Sequence, residues 1–403
     1  MNPEDPPAPD LLEVDLASEE DRYARLRLIH WWDQERLAGA RALVVGAGAL
    51  GNEILKQLAL LGVGRILVAD LDTIERSNLT RAVLFRERDL GRPKAEVAAA
   101  ALEDLNPQVR AQPFVGNIVY DLGAGVYREM DLIFGALDNR EARVAINQHC
   151  WNLGKPWFDG AIEVLQGVAR MFSPAGEDSP CYECTMSEQD YQLLSRRRSC
   201  ALLTREDQAR GKVPTTPTTA SIIAGIQVQE AVKWLHRDRG LPTLAGQGFV
   251  FNGLTHDSYV VTYQRRRDCP AHYTFPEVIE TDFSCATPAG EVLAFVRSQV
   301  SPTAVLELSR EVCVALLCRT CNERQPLFRS LGQVTEAEGR CPTCGQMREP
   351  ELLHSLYGDE PFLDRPLSLL GVPPYDILTG REGMEMRHYL LSADRPRALG
   401  KLA

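Results

Sequence analysis

Apolar positions in the first part of the chain come in short bursts, ALVVGAG, RILVADLD and DLIFGALD, each separated from the next by a stretch with helical spacing. NEILKQLALLGVG, KAEVAAAALEDLN and REARVAINQHCWNLG are those stretches, and each carries apolar residues three and four apart. Strand and helix in repetition predict a doubly wound α/β core, a parallel sheet with helices on both faces. After Asn147 the pattern changes. PWFDGAI, GVARMFSP and GFVFNGLTHDSYVVTYQ read as strands without regular crossovers, so the second half of the sheet is expected to be mixed or antiparallel. Between them a polar excursion, 185–216, precedes TPTTASIIAGIQVQEAVKWLH, where Thr residues ahead of an apolar run predict a helix start.

The rest of the chain reads as separate pieces. Residues 1–20, rich in Pro and acid, are expected to be a disordered tail, and 273–289 a linker. Residues 290–403 carry their own helix, ATPAGEVLAFVRSQV, and their own strands, as EVCVALLC. The expected domains are therefore 21–272 and 290–403.

Composition narrows the function classes. The 403 residues carry a net charge of −11, which argues against general nucleic-acid binding; the arginine runs 196–198 and 265–267 are local. No apolar run approaches the length of a membrane span, and the N-terminus lacks a signal pattern, so no membrane partner and a cytoplasmic location are expected. The 11 cysteines fall largely into C-x-x-C pairs, a grouping that favours metal or thiol chemistry over a disulfide framework.

Gly46-Ala-Gly48-Ala-Leu-Gly51 follows a strand and opens a helix, and Asp70 ends the next strand. That is a dinucleotide-binding arrangement, in which glycines admit a phosphate to a helix N-terminus and the acid accepts from ribose hydroxyls. A nicotinamide or flavin enzyme would fit it equally. Downstream, Asp72, Asn78, Arg81, Lys94 and Asp138 add two cations and several acids, which suit ATP with Mg²⁺ better than hydride transfer.

DRYARLRLIHWW, GAGALGNEILKQLALLGVGRILVADLDTIERSNLTR, RPKAEVAA and ALDNREAR together resemble the ubiquitin-activating superfamily of E1-like (ThiF/MoeB/HesA) enzymes, and within it the branch that activates Nedd-type modifiers. The resemblance runs over residues 21–272. It implies that Asp70 holds ribose, that Asn78, Arg81 and Lys94 hold phosphates, and that Asp138 holds magnesium. Arg25 matches the family's arginine finger, which reaches into a neighbouring subunit and so implies a homodimer. The reaction implied is adenylation of the C-terminal glycine carboxylate of a ubiquitin-like protein.

Cys181 and Cys184, with the second half-site Cys269 and His272, have the spacing of a tetrahedral zinc site, although the family usually supplies four cysteines there. Cys318, Cys321, Cys341 and Cys344 have zinc-ribbon spacing, for a second structural Zn²⁺ within 318–344. Cys200 has no partner at metal spacing and stands where the resembling enzymes carry a thioester-forming cysteine. Its arginine neighbours would favour the thiolate, while Ala201 replaces the family's threonine. Cys150, Cys285 and Cys313 read as core. PLSLLGVPPYDILTG resembles the end of the ubiquitin-fold domain with which activating enzymes recruit a conjugating enzyme, the ribbon being an insertion in it. Two rival functions are a sulfur-carrier adenylyltransferase, which shares the nucleotide site, and a non-catalytic partner subunit.

Overall fold

The computed structural model describes residues 21–191 and 214–403. The expected tail 1–20, most of the excursion 185–216, and Cys200 lie outside the described residues. Eight strands, β1 Arg41–Val45, β2 Arg65–Asp70, β3 Arg110–Val115, β4 Leu132–Gly135, β5 Trp157–Glu163, β6 Gln166–Phe172, β7 Gln247–Asn252 and β8 Asp257–Thr262, form one sheet in the order β3-β2-β1-β4-β5-β6-β7-β8. The first five run parallel and the last three pair antiparallel, as the change of pattern after Asn147 leads one to expect. Strand order reverses between β1 and β4, where open α/β sheets leave a crevice for ligands.

The helices are α1 Gln34–Gly39, α2 Ala49–Leu61, α3 Lys94–Leu105, α4 Ala124–Glu129, α5 Arg140–Asn152 and α6 Pro217–Leu235. Their caps follow local chemistry. Asp33 accepts from the amides of Glu35 and Arg36 at the head of α1, Asn139 from Ala142 at α5, and Thr216 from Thr219 at α6. One sheet face is buried under α2, α3 and α6 through Val44, Ile66, Val68, Ile54, Leu58 and Ile223. The other face carries α4 and α5, and its cover is completed by Tyr375, Ile377, Leu390, Leu399 and Leu402 from the end of the chain.

A second sheet has the order β11-β10-β13-β14-β9, built from β9 Val278–Thr281, β10 Val305–Leu317, β11 Arg324–Ser330, β13 Ile377–Glu382 and β14 Glu385–Leu391, with β12 Glu349–Leu356 paired to β10. Helix α7 Ala289–Gln299 packs against it through Val292, Leu293 and Val296. Residues 273–289, expected as a linker, carry β9, which pairs parallel to β14. A four-residue strand is too short for alternation to announce it, and its partner lies at the far end of the chain. The two sheets are bolted together: Asp376 accepts from the Ala124 amide (2.8 Å) and the Ser309 hydroxyl (2.6 Å), and Glu129 accepts from the Tyr375 hydroxyl (2.7 Å) and from Arg395 (3.0 Å). No helix among the described residues is long and apolar enough to cross a membrane.

Candidate functional site

The turn between β1 and α2 is dictated by sterics. Gly46 has φ +95°, and a Cβ there would lie 2.3 Å from the Ala136 carbonyl oxygen. A Cβ on Gly51 would fall 1.8 Å from the carbonyl oxygen of Gly46, so the first turn of the helix closes on the loop only without a side chain. Gly48 is the N-cap of α2, and a Cβ there would meet nothing within 4 Å. The head of α2 is therefore open, as a phosphate received at a helix N-terminus would require.

Asp70, at the end of β2, spans the loop: its carboxylate accepts from the amides of Ala47 (2.6 Å) and Asp72 (2.8 Å). Burial pushes this carboxyl above its ordinary value, opposed by the charge of Lys94. Lys94 is the first residue of α3, nearly buried, and its ammonium donates to Asp72 (2.8 Å). Thus Gly46, Gly48, Gly51, Asp70, Asp72 and Lys94 are gathered at one end of the parallel strands. Asp138 is exposed just beyond β4, on the neighbouring strand of the crevice. Asn78 closes a 3₁₀ turn by accepting from the Glu75 amide (2.9 Å), and Arg81 donates to the Ser77 carbonyl (2.8 Å).

Arg25 stands elsewhere. Two residues before it, the Tyr23 ring fills the space at Gly62, at the C-terminal end of α2, and its hydroxyl accepts from Asn106, which caps the end of α3. The Gly loop is at the opposite end of α2, a rise of about 20 Å at 1.5 Å per residue. The chain does not bring Arg25 to its own nucleotide loop.

Both cysteine clusters assemble. Cys181, Cys184, Cys269 and His272 place their ligand atoms within 4.8 Å of one another, as do Cys318, Cys321, Cys341 and Cys344. Tetrahedral zinc with Zn–S bonds near 2.3 Å sets sulfur–sulfur edges of about 3.8 Å. The Sγ separations are 3.8 Å for Cys181–Cys184, 3.6 Å for Cys181–Cys269, 3.4 Å for Cys318–Cys344 and 3.5 Å for Cys321–Cys341. His272 Nε2 lies 3.2 Å from Cys184 Sγ, with its ring against Trp151. The donor sets fit zinc. Cys150, Cys285 and Cys313 are buried, as expected of core cysteines.

The ThiF family model matches residues 20–271, well over half of the chain.

The chain belongs to the ThiF family.

It is 34% identical over 267 residues to the SAMP-activating enzyme E1 of Haloferax volcanii, covering 63% of this chain and 89% of that one. A sulfur carrier protein adenylyltransferase of Thermus thermophilus is 34% identical over 256 residues, 62% and 89% of the two chains. The NEDD8-activating enzyme E1 catalytic subunit of Schizosaccharomyces pombe is 41% identical over 152 residues, 36% of this chain and 34% of that one. Over 64% of this chain and 76% of that one, the fold is similar to that of E. coli MccB, solved with ATP, at a TM-score of 0.52 and 22% identity. As a ThiF-family member with activating enzymes and adenylyltransferases for relatives, it is an E1-like adenylating enzyme.

Within the ThiF domain, side chains that the motif reading passed over hold the site together. Asn52 donates to the carbonyls of Ala47 (2.6 Å) and Gly48 (3.1 Å) and accepts from the Leu84 amide (2.8 Å), tying the glycine loop to the segment that follows Arg81. Asp159, fully buried on β5, lies between Arg143 and Arg170. Burial alone would raise its carboxyl, but the two guanidiniums hold it below the usual range. Asp159 and Arg170 are lone charges inside PWFDGAI and GVARMFSP. That is a readable signal, but only the antiparallel register of β5 and β6 places one opposite the other.

Proposed function

We propose that this enzyme activates a ubiquitin-like protein by adenylating its C-terminal glycine carboxylate. The observation that carries the reading is the gathering of the glycine turn, Asp70 and Lys94 at the N-termini of α2 and α3, with Asp138 across the crevice, in a ThiF-family chain. In this reading ATP is a substrate. Asp70 takes the ribose hydroxyls, while Asn78, Arg81 and Lys94 take phosphate oxygens. The ammonium of Lys94, now paired with Asp72, is shared with the incoming phosphate. Magnesium held by Asp138 would neutralise phosphate charge. The modifier's carboxylate oxygen attacks the α-phosphorus, forming the acyl-adenylate as pyrophosphate leaves. Arg25 belongs to the site of a second copy in this proposal, a homodimeric arrangement that its distance from the chain's own glycine loop supports.

Cys200 is the proposed acceptor. As thiolate it attacks the adenylate carbonyl and expels AMP, leaving a thioester for transfer to a conjugating enzyme. The C-terminal unit, with its proposed ubiquitin-fold ancestry and zinc ribbon, is the proposed docking platform for that enzyme, and both cysteine clusters are proposed as structural zinc sites. The similarity to the Thermus sulfur carrier protein adenylyltransferase, equal in identity to that with the Haloferax enzyme, favours a second reading in which the activated carboxylate goes to sulfur transfer.

The test is incubation with ATP, Mg²⁺ and a candidate glycine-ending protein, followed by pyrophosphate measurement and a non-reducing gel. A thiol-sensitive adduct lost in Cys200→Ala and kept in Cys150→Ala is expected. Pyrophosphate release without a Cys200 adduct selects the sulfur-carrier reading, and no release with any such protein sinks both.

A further inference from the structure

We infer that Asp159 is a positioning residue for the cation-binding corner of the nucleotide site, acting through Arg143 on the backbone that presents Asp138. The inference rests on the proposed role of Asp138.

Arg143, on the second turn of α5, divides its guanidinium among three acceptors: Asp159 Oδ1 at 2.9 Å, the Leu137 carbonyl at 2.6 Å and the Gly160 carbonyl at 3.0 Å. Leu137 immediately precedes Asp138. The segment is also pinned on either side, by the Ala136 amide donating to Val45 (2.8 Å) and by Asn139 accepting from the Ala142 amide (2.8 Å). Of these fastenings, the one at Leu137 depends on the Arg143 guanidinium, which is itself held by Asp159 on β5. Asp159 is in register with Gly135, the last residue of β4, and a Cβ on Gly135 would lie 3.4 Å from Asp159 Oδ1. The carboxylate therefore sits directly beneath the segment that leads to Asp138.

Arg170 completes the arrangement without touching that segment. Its Nε donates to Asp159 Oδ2 at 2.8 Å, reinforced by Nη2. Two guanidiniums, that of Arg143 buried and that of Arg170 partly so, thus share one buried carboxylate. Removing the carboxylate charge leaves two like charges facing each other with no anion between them. Arg143 keeps its two carbonyl acceptors at Nη2, but Asp159 is the acceptor that fixes its Nε, so without the carboxylate the plane of the guanidinium is no longer set and its bond to the Leu137 carbonyl loosens. Removing Arg170 instead leaves a one-to-one Asp159–Arg143 pair, with the grip on Leu137 intact. A purely structural triad would respond to both changes alike; a positioning role separates them.

The test uses the full-length chain. ATP affinity is measured by calorimetry with Mg²⁺ and with chelator, and amide hydrogen exchange is followed over residues 136–142 without nucleotide. In Asp159→Asn the tightening of ATP binding by Mg²⁺ is expected to fall about tenfold or more, the usual effect of losing a group that orients a metal ligand. ATP affinity in chelator should stay near wild type, and exchange over 136–142 should quicken. Arg143→Lys, which keeps the charge but cannot bridge three acceptors, should behave the same way and provides the reading if Asp159→Asn folds poorly. Arg170→Met should keep the wild-type Mg²⁺ effect and exchange. The inference is overturned if Asp159→Asn and Arg143→Lys retain both wild-type values, or if Arg170→Met loses as much as they do. Wild-type protein that fails to bind ATP would overturn the nucleotide reading, and this inference with it.

Discussion

Leu399 and Leu402 stand only a few residues from the end of the chain, yet both are completely buried beneath β2 and β3, in one core with Leu67, Ala69, Val126 and Tyr127. They cover sheet surface that a doubly wound fold ordinarily covers with a helix. The double variant Leu399→Ala, Leu402→Ala should therefore destabilise the ThiF domain, not merely the second sheet. Each truncation removes buried carbon worth about 2–3 kcal/mol by transfer, and up to about 5 kcal/mol if the cavity stays open. The sites share one core and should not add fully, so roughly 5 kcal/mol is expected for the pair. Net stabilities run only about 5–15 kcal/mol, and such a loss corresponds to a fall in Tm of roughly 6 °C if the 403 residues unfold as one unit and about 10 °C if the ThiF domain unfolds alone. The assay is built into the sequence: the five tryptophans, Trp31, Trp32, Trp151, Trp157 and Trp234, all lie within the ThiF domain. Their emission in a urea titration reports on that domain alone, while far-UV circular dichroism reports on the whole chain. A lower urea midpoint by both probes is expected. An unmoved tryptophan midpoint beside a shifted circular dichroism midpoint would refute the shared core and make the C-terminal unit an independent module.

Metal analysis should find two zinc ions per chain, falling to one in Cys269→Ser and to one in Cys321→Ser; unchanged zinc in both variants would rule out the assembled clusters as zinc sites. Glu129 supplies a pH test of the joint between the sheets. Burial pushes its carboxyl up, but Arg395 and Tyr375 hold it below its ordinary value, so its contribution is complete above the unfolded pKa, near 4.3, and is lost as pH falls through the lower folded value. Glu129→Gln should cost about 1–3 kcal/mol at pH 7, and its deficit against wild type in denaturant unfolding should shrink below pH ~4. An equal deficit at pH 7 and pH 3 would show that charge is not what holds the joint.

Local spacing alone determined much of this protein. The glycine turn, the strand ending at Asp70, the Thr216 cap of α6 and the three C-x-x-C pairs are set by residues within a few positions of one another, and each is where the pattern places it. Cys181, Cys184, Cys269 and His272 were legible at long range too, because metal-ligand spacing repeats recognisably in each half-site. Tertiary structure decided the rest. The burial of Leu399 and Leu402 under the first sheet, the pairing of β9 with β14, and the meeting of Asp159 with Arg143 and Arg170 all depend on the register and packing of segments far apart in the chain. A lone charge in an apolar strand announces that it needs a partner, but only the fold, by fixing which strand lies beside it and at what offset, determines which partner it finds.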